Sequence, residues 1–172
     1  IKPFISKIIS LKTENVSLNE AYPGGLIAIG TDIDPSCCIA DNLVGHILGL
    51  KGDVPDVYQK LTIDYEIFDT FLDKKDKEIK CLVLNEVYML NVGSCSLNAM
   101  LKIKTSDHLT FDLFKPVCCD LREKVTLSKK VSNNWRLIGY GKIVEGEILE
   151  PDYEMDFMSL RELGYELATN KM

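Results

Sequence analysis

Short stretches of alternating apolar and polar residues, separated by turns, constrain the fold of this chain most. Leu61, Ile63, Tyr65 and Ile67 alternate with polar partners, which is the period of a strand with one buried face. Further apolar runs follow at 82–92, 100–104, 109–113, 125–127 and 137–144. Short strands at this spacing, punctuated by turn residues, favour an antiparallel barrel or sandwich, so the sequence predicts an all-β fold.

The N-terminal third has shorter apolar runs and more turn residues. A run over 4–11, rich in β-branched residues, predicts a first strand. Pro23-Gly24-Gly25 predicts a tight turn before a short buried strand at 26–29. Strand character returns over 44–50, and Gly52-Asp53-Val54-Pro55 is the expected linker to the remainder of the chain.

The net charge of -6 is distributed unevenly along the 172 residues. From residue 147 onward seven acidic residues face two basic ones, whereas residues 115–142 hold seven basic residues and two acidic ones. A local balance of +5 therefore precedes a tail that carries -5. Within the tail, Ser159 and Glu162 have the spacing of a capping box, so a short amphipathic helix is expected there.

Several function classes have no support in the sequence. No apolar run approaches the ~18 residues of a membrane-spanning helix. No phosphate-binding loop or nucleophile elbow is present, and the six cysteines form no Cys-x-x-Cys pair. His46 and His108 lack companions at ligand spacing. We therefore expect no catalytic residue, no metal site and reduced structural thiols, in a chain that begins at Ile1 as part of a longer one.

Three motifs are more specific than composition. They read PGGLIAIGTDIDPSCCIADNLVGHILG at 23–49, NEVYMLNVGS at 85–94 and VSNNWRLIGYGKI at 131–143. Together they resemble the gamma subunits of eukaryotic and archaeal translation initiation factor 2, which are GTPases similar to elongation factor Tu. The resemblance runs from about Ile1 to about Glu145, so it covers most of the chain.

The resemblance implies a domain organisation. Residues 1–52 correspond to the C-terminal part of a second β-barrel (domain II), and 57–146 correspond to a complete Greek-key-like β-barrel (domain III). The implied fold is a partial barrel packed on a complete one, followed by the acidic tail 147–172 with its short helix. The family's GTP-binding domain would precede these residues, so GTP and Mg²⁺ belong to the parent protein, and this part is not itself an enzyme.

The resemblance also implies a function. The parent would bind GTP, associate with alpha and beta subunits in the cytoplasm, and deliver initiator methionyl-tRNA to the small ribosomal subunit, with no membrane contact. An assembly chaperone could grip domain III and the tail. Two alternatives stay open: the β-barrels of another factor of the elongation-factor-Tu type, such as the selenocysteine-specific one, and a free-standing β-barrel interaction module.

Expected contact residues follow from the resemblance in three groups. The turn of Tyr22, Pro23, Gly24 and Gly25 corresponds to the border of the pocket for the aminoacylated tRNA end, although the glycines could serve the turn alone. Loops of domain II hold the alpha subunit in this family, which makes candidates of Asn15, Glu20, Asp32, Asp34 and Asp41. The alternative interpretation is that these five residues lie in solvated loops that contact no partner.

The basic stretch supplies the third group of contact residues. Phosphate recognition depends on Lys and Arg side chains spread over one surface, so Lys129, Lys130 and Arg136 are the expected contacts with ribosomal or transfer RNA. A charged outer barrel face with no RNA contact is the alternative. Trp135 beside them is expected in the core rather than stacked on a base.

Overall fold

The computed structural model of this chain describes residues 3–50, 52–71, 74–78 and 82–150. Within these ranges it contains eleven strands, one 3₁₀ helix and no α-helix, which confirms the all-β prediction. The described residues divide into two compact units, 3–43 and Val44–Glu150. The division falls earlier than the predicted linker at 52–55. The helix expected near Ser159 lies outside the described residues.

The N-terminal unit is a three-stranded antiparallel sheet. Its strands are β1 (Ile8–Thr13), β2 (Val16–Leu18) and β3 (Ala28–Thr31), in the order β2-β1-β3. A two-residue turn of Glu14 and Asn15 joins β1 to β2, with Glu14 at a φ of 49°. The 3₁₀ helix, Pro35–Cys38, follows β3.

This sheet has no buried side chain among its described residues. Leu26 is 91% exposed and Ile29 is 39% exposed, so the prediction of a buried strand at 26–29 is wrong. The reason is that no described residue of this unit covers either side chain. A sheet of this size needs a covered apolar face to be stable, so the N-terminal unit depends on further protein for its core.

The second unit is a closed six-stranded barrel. The barrel strands are β4 (Val57–Ile67), β7 (Val87–Val92), β8 (Cys95–Lys104), β9 (His108–Cys118), β10 (Lys124–Val131) and β11 (Asn134–Ile148). A small ribbon of β5 (Thr70–Phe71) and β6 (Lys74–Glu78) lies between β4 and β7 in the chain. The order around the barrel is β10-β11-β4-β9-β8-β7. Strands β7, β8 and β9 form a meander, and the earlier strand β4 lies beside β9. This arrangement is a Greek key, as predicted.

The barrel interior follows the period-2 pattern of the sequence. Leu61 and Ile63 of β4 are fully buried, together with Leu90 of β7 and Phe111 of β9. By contrast, the strand predicted over 44–50 does not form. Gly45 has a φ of 84° there, and Leu48 and Leu50 stay 63% and 75% exposed, so neither an extended backbone nor a buried face is available.

Two glycines allow β11 to lie close to β4. A Cβ added at Gly141 would lie 1.9 Å from the carbonyl oxygen of Asp64, and one at Gly139 would lie 2.3 Å from that of Glu66. Both contacts are with backbone, which cannot move away without breaking the ladder between the strands. The Ile-Gly-Tyr-Gly motif at 138–141 is therefore a requirement of barrel closure.

Candidate RNA and subunit contact surfaces

The turn at 22–25 is an accessible surface. Tyr22 is 74% exposed, and its hydroxyl donates to Glu20 Oε2 at 3.3 Å. Gly24 has a φ of 124°, a conformation that favours glycine, whereas a Cβ added at either Gly24 or Gly25 would meet no atom within 4 Å. Glycine at 24 is required by its own backbone, and both glycines leave room for another molecule to approach.

Two of the predicted docking carboxylates are engaged by hydrogen bonds within the N-terminal unit. Asp32 accepts hydrogen bonds from the Ser6 hydroxyl and from the Lys7 backbone N–H at 2.9 Å, and these bonds hold its pKa below the ordinary value. Asp34 caps the 3₁₀ helix by accepting from Ser36 N at 2.8 Å, which lowers its pKa as well. Both carboxylates shape the connection that follows β3.

The other three docking candidates are exposed at turns. Asn15 occupies the hairpin between β1 and β2, and Glu20 follows β2. Asp41 has a φ of 59°, next to Ala40 at 55°, in the connection after the 3₁₀ helix. Their side chains present oxygen atoms to solvent, which is the arrangement a basic partner surface would need.

The structure separates the three predicted RNA contacts. Lys129 lies directly opposite Arg136 on neighbouring strands, whereas Lys130 lies opposite Trp135 and points to the other face. Lys129 Nζ is 2.7 Å from Glu86 Oε2, and its side chain is only 15% exposed. Lys130 is exposed and Arg136 partly buried. Lys129 thus forms an ion pair within the protein.

The ion pair belongs to a cluster that sequence reasoning missed. Tyr88 is fully buried, accepts from Val83 N at 2.9 Å and donates to Glu86 Oε2 at 2.9 Å, and Lys129 Nζ lies 5.7 Å from the centre of its ring. Burial raises the pKa of Tyr88 to about 12. Glu86 and Lys129 are far apart in sequence, and only the pairing of β7 with β10 brings them together.

An open pocket of about 380 Å³ lies on the outer side of β4 and β11. Tyr140 donates from its hydroxyl to Glu66, and the backbone N–H of Lys142 donates to Asp64. Lys124 and Asp107 also line the pocket. No motif in the sequence pointed to it, because its residues come from four separate segments.

Other predicted absences can be stated only for the described part of the chain. There, no group of three His, Cys, Asp or Glu side chains is arranged to hold a metal ion. In the same residues, no helix has the length and apolar character to cross a bilayer. The five described cysteines are free thiols: Cys37, Cys38, Cys95, Cys118 and Cys119.

Comparison with known proteins decides the family. Residues 59–143, which include at least part of all six barrel strands, match the family model described as initiation factor eIF2 gamma, C terminal. The subunit gamma of eukaryotic translation initiation factor 2 from Encephalitozoon cuniculi is 41% identical over 155 residues, 90% of this chain. The chain belongs to the eIF2 gamma family. The Schizosaccharomyces pombe subunit gamma and the Drosophila melanogaster subunit 3 are each 42% identical over 87% of the chain.

The eIF2 gamma relatives are much longer than this chain. It spans about a third of each, namely 35% of the E. cuniculi protein, 34% of the S. pombe protein and 33% of the D. melanogaster protein. Among solved structures, the apo form of translation elongation factor SelB from Methanococcus maripaludis matches with a TM-score of 0.57. That match has 17% identity and covers 83% of this chain and 34% of that chain. This likeness shows a shared fold alone.

Proposed function

We propose that this chain provides docking surfaces within an eIF2 gamma subunit that delivers initiator methionyl-tRNA to the small ribosomal subunit. The observation that carries the proposal is the 41% identity to the E. cuniculi subunit gamma over 90% of the chain. GTP and Mg²⁺ would bind in the parent protein outside these residues. On this proposal the chain itself catalyses nothing, and the complex with alpha and beta subunits works in the cytoplasm.

The turn of Tyr22, Pro23, Gly24 and Gly25 would form one wall of the site for the methionylated tRNA end. Support comes from its exposure and from the open space around both glycines. A backbone without side chains lets a ribose or adenine approach closely, and the exposed Tyr22 ring offers a surface for contact. Closure of the GTP-bound domain onto this wall would hold the tRNA end, and hydrolysis would release it.

The alpha subunit would dock on the loops of the N-terminal unit. Asn15, Glu20 and Asp41 present exposed polar groups, whereas Asp32 and Asp34 would act by fixing the loop after β3. Lys130 would meet ribosomal or transfer RNA on the exposed face of β10. Arg136 would do so on the other face, beside Lys129, whose ion pair with Glu86 supports the strand. The beta subunit and an assembly chaperone at the barrel and tail complete the proposed partners.

Substitution at Gly25 tests the tRNA wall. In a full-length gamma subunit containing this sequence, Gly25→Val places its Cβ where no described atom lies within 4 Å, and circular dichroism should show an unchanged fold. It should lower the affinity of the GTP-bound complex for initiator methionyl-tRNA at least about tenfold, because it fills the approach to the backbone. Asn98→Val, at an exposed position of β8, is the matched control. Equal tRNA affinity for both variants would contradict the proposed wall.

A further inference from the structure

The pocket between β4 and β11 has no role in the surfaces proposed above. Its volume of about 380 Å³ falls in the range of small-ligand sites. Four segments form it: β4, the turn from β8 to β9, the start of β10, and β11. It lies entirely within the barrel unit.

Two lysines stand side by side in this pocket. Lys124 and Lys142 are directly opposite each other on β10 and β11, and both are exposed. Neither ammonium group forms an ion pair with a carboxylate among the described residues. Like charges directly opposite each other on neighbouring strands repel, and an anion bound between them would relieve that repulsion. The pair is therefore suited to a phosphate group.

Hydrogen-bond acceptors lie next to the lysines. Asp64 is the cross-strand neighbour of Lys142 and accepts from its backbone N–H, while Glu66 accepts from the Tyr140 hydroxyl. These bonds fix one oxygen of each carboxylate and leave the other oxygen to accept from a ligand. Asp107 reaches the same pocket from the turn between β8 and β9. A ligand that fits must carry hydroxyl or amino donors close to its anionic group.

The pocket also contains the aromatic ring of Tyr140. Tyr140 is 44% exposed, and its ring packs against Phe68 at 5.9 Å between centroids with a tilt of 48°. The hydroxyl is held by Glu66, so the ring is fixed in orientation, and its exposed part offers a stacking surface. Stacking on such a ring stabilises a bound base and tolerates any base.

We infer that this pocket binds one ribonucleotide residue of an RNA chain. Lys124 and Lys142 contact its phosphate, Asp64 and Glu66 accept from ribose hydroxyls or base amino groups, and Tyr140 stacks on the base. A phosphorylated peptide or inorganic phosphate supplies the anion but offers the Tyr140 ring no planar base to stack on. The 2′-hydroxyl is the group by which such a site distinguishes RNA from DNA.

The test is a titration of the 172-residue chain followed by amide NMR shifts. The probes are adenosine 5′-monophosphate, its 2′-deoxy analogue, inorganic phosphate and a phosphoserine peptide. We expect shifts at Lys124, Gly141 and Lys142 with the ribonucleotide, weaker binding of the deoxy analogue, and the weakest binding of phosphate. Preferred binding of the phosphopeptide, or ribonucleotide shifts elsewhere in the chain, would overturn the inference.

Variants separate the parts of the pocket. Lys142→Ala should weaken ribonucleotide binding about tenfold through loss of a charge-assisted bond, while Lys115→Ala, on an exposed part of β9 outside the pocket, should have no effect. Tyr140→Leu should weaken it about tenfold, and Tyr140→Phe should retain most of it because the ring remains. Equal affinities for Tyr140→Leu, Tyr140→Phe and the unchanged chain would exclude stacking and overturn the assignment.

The inference rests on the RNA-binding part of the proposed function, and the two can fail separately. If a single-stranded RNA oligomer binds the chain but Lys124→Ala and Lys142→Ala leave its affinity unchanged, the pocket assignment is wrong and the proposed function stands. If the pocket binds the ribonucleotide but a full-length gamma subunit containing this sequence binds no alpha subunit, the pocket assignment stands and the proposed docking role fails.

Discussion

Lys129 Nζ lies 2.7 Å from Glu86 Oε2, in a pair that joins the end of β10 to the start of β7. The same carboxylate oxygen accepts from the buried Tyr88 hydroxyl. One oxygen thus fixes a lysine, a tyrosine and, through that tyrosine, the backbone at Val83. The contact explains why the most basic part of the sequence is not a uniformly charged surface in the fold.

Removing one member of this pair should destabilise the barrel. Glu86→Gln leaves the ammonium of Lys129 poorly compensated in a site that is 15% exposed, which should cost about 1–2 kcal/mol of unfolding free energy. Lys130→Gln, at the exposed neighbouring position, should change it by less than about 0.5 kcal/mol. Urea unfolding monitored by Trp135 fluorescence measures both. Equal effects of the two substitutions would contradict the buried role of the pair.

Tyr88 should make stability fall at alkaline pH. Burial raises its pKa from 10.0 to about 12 in the folded state, so the neutral phenol favours folding. This contribution is fully present below pH 10 and is lost as pH rises through about 12. Tyr88→Phe should lack that part of the pH dependence and, below pH 10, should be about 1–2 kcal/mol less stable because Val83 N loses its acceptor. Urea midpoints measured across this range test both; parallel pH profiles would contradict the assignment.

Gly141→Ala should be strongly destabilising. The added Cβ would lie 1.9 Å from the carbonyl oxygen of Asp64, so β4 and β11 must separate, at an expected cost of more than about 3 kcal/mol. Gly25→Ala has open space around the new atom and should cost less than about 1 kcal/mol. Thermal unfolding of the two variants gives the comparison. A small loss for Gly141→Ala would show that the strands can move apart easily.

Substitutions in the hairpin turn between β10 and β11 should increase the stability of the barrel. Ser132 and Asn133 form its two-residue loop with φ of 49° and 67°, the pattern of a type I′ turn. Serine tolerates this conformation poorly, so Ser132→Asn with Asn133→Gly should stabilise the barrel by about 0.5–1 kcal/mol. Ser94→Asn, in a hairpin whose positive φ falls on Gly93 instead, is the control. No gain over that control in thermal unfolding would contradict the turn assignment.

The barrel strands could be predicted because the signals that mark them lie within short stretches of the sequence. Alternation at Leu61, Ile63 and Tyr65 sets the buried face within one strand, and Gly93 and Ser94 mark a turn without reference to distant residues. Expectations failed where burial depends on what covers a segment. Leu26 and Leu50 are apolar, and the sequence pattern predicts them in strands. No described residue of their own unit encloses either side chain.

The contact residues were less accessible from the sequence than the fold. Lysine spacing alone could not reveal that Lys129 is paired with Glu86, because they are 43 positions apart in the chain and three strands lie between them. The pocket at Lys124 and Lys142 was missed for the same reason, since pairing registers create it. The turn at Gly24 was found because a run of Pro and Gly is a local signal with a defined backbone consequence.

Binding of the purified alpha subunit to a full-length gamma subunit containing this sequence is the most direct test of the docking role. Calorimetric titrations at about 0.05 M and 0.5 M salt should show micromolar or tighter binding that weakens as salt rises, because exposed charges are screened. Glu20→Gln with Asp41→Asn should weaken it about tenfold, whereas Asp112→Asn on the barrel should not. No binding at either salt concentration by a subunit whose circular dichroism shows a folded structure would contradict the account.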